Sequence, residues 1–359
     1  MKILHCPSDV GGNAWALSRA ERRLGLDSTV MVYQRSWFKY NVDIDLRLDK
    51  HSPVLSMFRL LSAIAKAATE YDVIHYNFGS SLVPYGNYPE FVELCDLPVL
   101  RKLGKKIVVT YQGCDARQRS YFSRHFDISA CREADCYAEI CNNDQDLVKE
   151  RRIKKFGRYA HKIFSLNPDL LHVLPSQAEF LPYTCVDLDE WQPSIKPRSN
   201  TPITIVHSPT NRGAKGSRYI EEAISKLKKD GREINFITVE NMPHDQVRHI
   251  YEKADVAIDQ LLIGWYGAFA VEMMALGKPV ICYIRDEDLK FIPPEMAGEL
   301  PIINANPGTV YDVLKRVIAE RESLLSIGGR SRSYVERWHD PLKIAMRTKA
   351  VYEGLKAQS

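Results

Sequence analysis

Short apolar runs and amphipathic stretches alternate along the first third of the chain. Ile3 to Cys6, Thr29 to Tyr33, Val73 to Tyr76 and Ile107 to Tyr111 read as strands, while a stretch opening at Asn13 and another over Val54 to Ala68 have helical periodicity. Such alternation predicts a parallel sheet with helices on both faces. Beyond a basic helix, short strands are expected at Ile163 to Leu166 and Phe180 to Tyr183. Residues 185–202 then lack periodicity and hold three prolines, which marks an interdomain linker. The same rhythm restarts with a strand at Ile203 to His207, a helix at Ser217 to Lys229, a strand at Ile234 to Val239 and a helix at Asp245 to Lys253. Strands at Val256 to Ile258 and Pro279 to Tyr283 flank a further helix, and terminal helices follow. Two doubly wound halves are predicted, with ligands at the carboxyl edges of their sheets, in a cleft between the halves.

The length of 359 residues suits two domains, and 45% hydrophobic with 26% charged residues describes a soluble globular protein. A net charge of +4 is too small to argue for nucleic acid. The positives are concentrated over residues 149–162, where Lys149, Arg151, Arg152, Lys154, Lys155, Arg158 and Lys162 fall on one predicted helix. That run reads either as a solvated helix face or as a surface for anionic lipid headgroups or an acidic acceptor. The chain starts directly on a strand and contains no run of 18 apolar residues, so the expected location is cytoplasmic, with peripheral contact to the inner membrane surface as a further expectation. Cys131, Cys136 and Cys141 recur every five residues downstream of Cys114, a spacing that suits neither a zinc knuckle nor one helix face. Free thiols are expected.

Candidate chemistry concentrates at strand ends. From Gly264 a turn of Gly-Trp-Tyr-Gly runs into Ala268, Phe269 and an apolar helix carrying Glu272, which ends at Gly277 before a β-branched strand. A helix N-terminus opened by glycines is a seat for phosphate, and Glu272 further along can accept hydrogen bonds from a ribose diol. The alternative is an ordinary turn packed by small residues. After the strand ending at His207, Arg212 and Lys215 precede Gly216 in a glycine-rich turn whose fork of donors and compact charge fit a diphosphate. Gly11 and Gly12 follow the first strand and allow close backbone approach, with Asn13 expected to cap the next helix. Gln112, Asp115 and Arg117 follow the Ile107 strand, and His75 and Asn77 close another; these are candidates for acceptor contact or proton handling. Asp-x-Asp pairs at 43/45, 187/189 and 286/288 lie in polar loops and do not argue for a metal.

The glycine turn, the Glu272 helix and the Gly277-Lys278-Pro279-Val280 strand entry together resemble the nucleotide-sugar motif of retaining family-4 glycosyltransferases. Lys215-Gly216 is similar to that family's Arg…Lys-Gly element, with Arg212 standing closer to the lysine than usual. The resemblance implies the GT-B fold, two facing Rossmann-like domains at 1–185 and 186–340, with the final helix, 341–359, crossing back onto the first. It implies transfer of a sugar, with retention and without metal or cofactor, from a UDP- or GDP-type donor to a glycan, lipid-linked or small-molecule hydroxyl. The Gly11 loop and the Gly264 to Gly267 turn would meet diphosphate and sugar, Lys215 and Arg212 the leaving group, and Glu272 the ribose. Two departures matter. Gln112 stands where many relatives have histidine, and Gly264 stands where the first of two glutamates eight residues apart usually contacts the sugar. Asp259, Gln260 or Trp265 is therefore expected to supply part of the sugar contact. The rival readings are a non-catalytic GT-B-like subunit and a GT-B sugar-nucleotide epimerase, which should need more acids and histidines at the sugar.

Overall fold

The computed structural model describes residues 1–36, 39–83, 92–137, 141, 143–193 and 202–357, which group into two compact units. The first comprises residues 1–117, 147–185 and 341–359. Its strands β1 (Lys2–Cys6), β2 (Asp27–Val32), β3 (Ile44–Asp45), β4 (Val73–Asn77), β5 (Lys106–Tyr111), β6 (Lys162–Ser165) and β7 (Glu179–Phe180) form one parallel sheet in the order β3-β2-β1-β4-β5-β6-β7. The strand expected at Phe180 to Tyr183 is this shorter β7, because its partner β6 stops at Ser165, which pairs with Phe180.

Helices α1 (Asn13–Arg23), α2 (Pro53–Glu70), α3 (Asp96–Lys102) and α5 (Asn143–Tyr159) connect these strands, and α4 (Arg119–His125), on the way from β5 to α5, belongs to the second unit. Ser52 and Pro53 set the start of α2, the serine side chain accepting from Leu55 N–H at 3.4 Å and proline taking a first-turn position where no N–H is needed. Neighbouring residues of β4 show that both faces of the sheet are covered. His75 points to one face, toward Tyr352, while Tyr76 points to the other, where its hydroxyl donates to Asp96 of α3 and its ring meets Phe156 of α5.

The His75 face is held by a buried polar network rather than by apolar contact alone. His75 bonds Tyr352 and Thr110 at 2.7 Å each, and its neighbour His5 bonds Glu21 of α1 at 2.8 Å. Glu21 also accepts from Ser28 of β2 and from Thr348, on the last helix of the chain. Burial drives the His75 pKa well down, so the ring is neutral and fully used in packing. The expectation that His75 faces an acceptor is corrected: a histidine 1% exposed with both nitrogens bonded is a core residue.

The second unit comprises residues 118–146 and 186–340. Segment 118–146, read from sequence as part of the first half, packs here: Ala130 N–H donates to Leu262 O at 3.1 Å, and the Tyr219 hydroxyl bonds Glu133 at 2.9 Å. Its strands β8 (Ile203–His207), β9 (Ile234–Thr238), β10 (Val256–Ile258), β11 (Val280–Cys282) and β12 (Ile303–Asn304) are again parallel, in the order β12-β11-β10-β8-β9. Around them run α6 (Arg212–Lys215), α7 (Ser217–Lys229), α8 (His244–Glu252), α9 (Ala268–Ala275), α10 (Pro294–Gly298), α11 (Val310–Ala319) and α12 (Ser323–Trp338). Helices α7 and α11 bury Ile220, Ile224, Leu227, Val313 and Leu314 against Ile203, Ile205 and Ile258 of the sheet. The chain ends on α13 (Pro341–Ala357), which belongs to the first unit and carries Thr348 and Tyr352.

Candidate functional site

The carboxyl edge of the second sheet gathers most of the predicted donor-binding residues. β8 and β10 end side by side, His207 in register with Ile258. His207 donates from Nδ1 to Ile258 O at 2.8 Å and accepts the Ser217 hydroxyl at Nε2, also at 2.8 Å; burial lowers its pKa to about 4, which keeps it neutral. The loop after β8 is thereby fixed under α6, where Asn211 caps Ala214 N–H at 2.7 Å.

This short helix carries Lys215 to the end of β10. Its ammonium pairs with Asp259, which is fully buried, and the other carboxylate oxygen of Asp259 accepts Gly267 N–H at 2.7 Å. One carboxylate thus ties the cation to the turn that opens α9. A Cβ on Gly267 would sit 3.6 Å from both Lys215 Nζ and Asp259 Oδ2, so the bare backbone passes directly beside the charge. No acidic residue occupies the first turn of α9, and its positive end is not neutralised from within the helix. Arg212 lies one turn before Lys215 on α6 but leans outward, paired with Glu221 and, at 3.1 Å, with Glu240.

Glu272 is the fifth residue of α9, one turn from its start, and Gly264 to Gly267 belong to the loop before it. It is buried, and its Oε1 is bonded to His244 Nε2 at 2.7 Å. A carboxylate offers about four acceptor sites, so this bond leaves capacity for a diol. His244 was not foreseen. It follows Pro243 at the start of α8, and no periodicity or spacing links it to a helix 28 residues away.

Several expected sugar contacts are corrected. Trp265 and Tyr266 are 0% exposed and stack on each other at 4.4 Å, and the Tyr266 hydroxyl bonds His339 at 2.8 Å, so both side chains are core. Phe269 packs on Tyr251 with ring centroids 5.0 Å apart. Gln260 donates to Trp265 O, shaping the loop. Asp259 is committed to Lys215 and Gly267. Ala268, the first residue of α9, takes its place at the helix opening. Gly264 has φ +93°, and a Cβ there would stand 2.8 Å from the Arg285 guanidinium. That guanidinium is pinned by Asp288 at 2.8 Å, by Ile128 O at 3.0 Å and over the Phe126 ring at 3.9 Å. The space beside Gly264 is therefore filled by a cation.

The carboxyl edge of the first sheet is different in character. Gly11 and Gly12 have φ of +64° and +69°, as expected of a tight turn. Asn13 does not cap α1. Its amide donates to Val10 O and its Oδ1 accepts Thr184 N–H at 3.0 Å, while Asp9 takes the capping role through Ala14 N–H at 2.9 Å. Burial raises the Asp9 pKa to about 7. Gln112 donates to Asn77 Oδ1 at 3.3 Å, and Asn77 in turn donates to His75 O, so Asn77 braces the β4 end. Both oxygens of Asp115 accept main-chain N–H groups of Gln112 and Gly113, the shortest at 2.6 Å, and burial lifts its pKa to about 6. Arg117 is buried in a 2.7 Å ion pair with Asp169, which corrects its assignment to an acceptor.

All eight cysteines are free thiols: Cys131 and Cys136 are buried, Cys141 is half-buried and Cys114 is exposed. Among the described residues no three His, Cys, Asp or Glu side chains gather as metal ligands.

No protein-family model matches the chain, and no curated protein does. Solved structures do. Sucrose-phosphate synthase from Thermosynechococcus elongatus superposes with a TM-score of 0.63 at 15% identity, covering 100% of both chains. Anabaena HepE in complex with UDP-glucose gives 0.60 at 12% identity over 99% of this chain and 100% of that one. WaaG, a glycosyltransferase involved in lipopolysaccharide biosynthesis, gives 0.57 at 12% identity over 96% and 98%. The chain has the GT-B fold of these proteins.

Proposed function

We propose that the chain is a glycosyltransferase that moves a sugar from a nucleoside-diphosphate donor to a hydroxyl acceptor. The observation that carries this reading is the assembly at the second sheet's edge: Lys215 held by buried Asp259 beside the open N-terminus of α9, with Glu272 one turn further along. Cation and helix end would stabilise the charge that builds on the departing diphosphate, and Glu272, oriented by His244, would accept from the ribose diol. The fold shared with HepE, whose structure holds UDP-glucose, supports the same donor class. Transfer without a metal is part of the same reading and rests on the motif resemblance. Retention and membership of family 4 rest on the motif resemblance, and the acceptor on none of the site geometry.

The test is slow hydrolysis of a panel of UDP- and GDP-sugars, read as released nucleoside diphosphate. One sugar hydrolysed above background, with loss in Lys215→Ala, is the expected result. The filled space beside Gly264 favours the rival of a non-catalytic subunit, for which binding of a nucleotide with no turnover of any sugar would decide.

A further inference from the structure

Independently of the sugar-transfer reading, the first unit carries a surface whose chemistry is out of place in water. Eight of the twelve large apolar side chains exposed among the described residues lie on or beside three helices, α2, α3 and α5. These helices are neighbours: α2 packs on α3, and Arg101 of α3 donates to Tyr159 O at the end of α5 at 2.7 Å. Through Tyr76, α3 and α5 share one face of the sheet, so the three form a single layer.

Helix α2 is amphipathic in the wrong sense for a surface helix. Leu60, Ala63 and Ala67 point to the core, while Val54, Phe58 and Leu61, at the i, i+4, i+7 spacing of one stripe, point outward at 68%, 65% and 54% exposure. Met57 and Leu55 widen the stripe. On α3 the outward side shows Val99, followed by Lys102 and Leu103. The outward stripe of α5 has the same spacing as that of α2 but reads Leu147, Arg151, Lys154, Arg158. The other basic residues of this stretch turn inward: Lys149 donates to Arg117 O, Arg152 pairs with Glu93 and Lys155 reaches Glu93 O. What the α5 part of this stretch shows to solvent is thus a narrow basic row, with α3 between it and the apolar row of α2.

The exposed charges of the three helices are Arg101, Lys102, Arg151, Lys154 and Arg158 against Glu70 and Asp144. Apolar side chains at one level with a positive fringe complement the headgroup and acyl boundary of an anionic bilayer. No described helix is long and apolar enough to cross a membrane, so such contact would be interfacial. We propose that the outer surface of α2, α3 and α5 docks this protein on an anionic lipid bilayer, with Val54, Phe58 and Leu61 entering the acyl boundary and Arg151, Lys154 and Arg158 meeting the headgroups.

Co-sedimentation of the full chain with vesicles tests the proposal. Binding is expected to phosphatidylcholine vesicles containing phosphatidylglycerol, and at least about tenfold weaker binding to phosphatidylcholine alone. F58D/L61D should weaken the first by at least about tenfold through lost burial, and R151E/K154E/R158E by a similar factor through reversed charge. Both substitute exposed positions, so nucleotide-sugar hydrolysis and melting temperature should stay unchanged, and Leu325→Asp, at an exposed position of α12 in the second unit, should change nothing. Equal binding to both lipids, no binding to either, or unchanged binding in both variants would overturn the proposal. So would sedimentation velocity showing a dimer that F58D/L61D dissociates without any vesicle association, which would assign the surface to a second copy.

Discussion

The carboxyl edges of the two sheets are built from the same strand-turn-helix units yet treat charge in opposite ways. At the first edge, Asp9 and Asp115 are buried beside main-chain N–H groups, and loss of water raises their pKa values to about 7 and about 6. At the second, the buried carboxylate Asp259 is matched by the Lys215 ammonium and accepts the Gly267 N–H that opens α9, a helix with no acidic residue in its first turn. Burial without a bonded cation raises a carboxyl's pKa; burial with one makes a fixed ion pair. On the function proposed above, the first edge would meet hydroxyl groups and the second phosphate.

The largest effect that would sharpen this contrast comes from Lys215→Ala. If the ammonium stabilises the leaving diphosphate, one charge-assisted hydrogen bond of about 1.5 to 3 kcal/mol is lost from the transition state, and kcat should fall roughly 10- to 150-fold with a smaller change in donor KM. Unchanged turnover in steady-state kinetics, with folding verified by circular dichroism, would remove Lys215 from the site.

Next in size is Gly264. Gly12 and Gly264 both have positive φ, but Gly12 faces the ring of Tyr40 at 3.2 Å, whereas Gly264 faces an Arg285 guanidinium held on three sides. Gly264→Ala should cost about 2 to 3 kcal/mol and Gly12→Ala about 1, measured by urea unfolding. Gly264→Glu, which adds bulk at the same point, should also reduce activity with the native donor. Equal costs for the two alanine variants would mean that Arg285 gives way.

A pH series separates the edges further. The folded chain holds the Asp9 proton up to about pH 7, while an unfolded chain releases it near 3.8. The stability contributed by the neutral carboxyl is complete below the unfolded value and is lost as pH rises through 7. Asp9→Asn keeps an oxygen for Ala14 N–H and cannot ionise, so at pH 8 it should be more stable than the parent by about 1 to 2 kcal/mol, with the gap closing toward pH 4. Parallel melting curves from pH 4 to 8 would refute this account of Asp9.

The smallest effect is expected of Glu272→Gln. A ribose contact is made in ground and transition states alike, so donor KM should rise about three- to tenfold with kcat little changed. Calorimetry with UDP and GDP checks it directly. Tight binding unchanged in the variant would leave Glu272 as a partner of His244 only.

Much of the fold was legible because local rules suffice for it. Apolar runs of four to six residues between amphipathic stretches dictate parallel strands with covering helices, and the restart at Ile203 divides the sheets. The placement of Lys215, Gly267 and Glu272 around one sheet edge was legible too, since strand-glycine-helix punctuation puts such residues there whatever surrounds them. Side-chain direction was not. A histidine after a strand reads alike whether it opens to a ligand, like the expectation for His75, or closes on Tyr352 from a helix 277 residues away. Trp265 and Tyr266 went into the core, and His244 reached Glu272, through contacts between elements that no sequence window spans. The chain determined where its strands, turns and charges fall along its length; tertiary packing decided which of those charges lost water and which gained a partner, because desolvation and pairing exist only once distant segments meet.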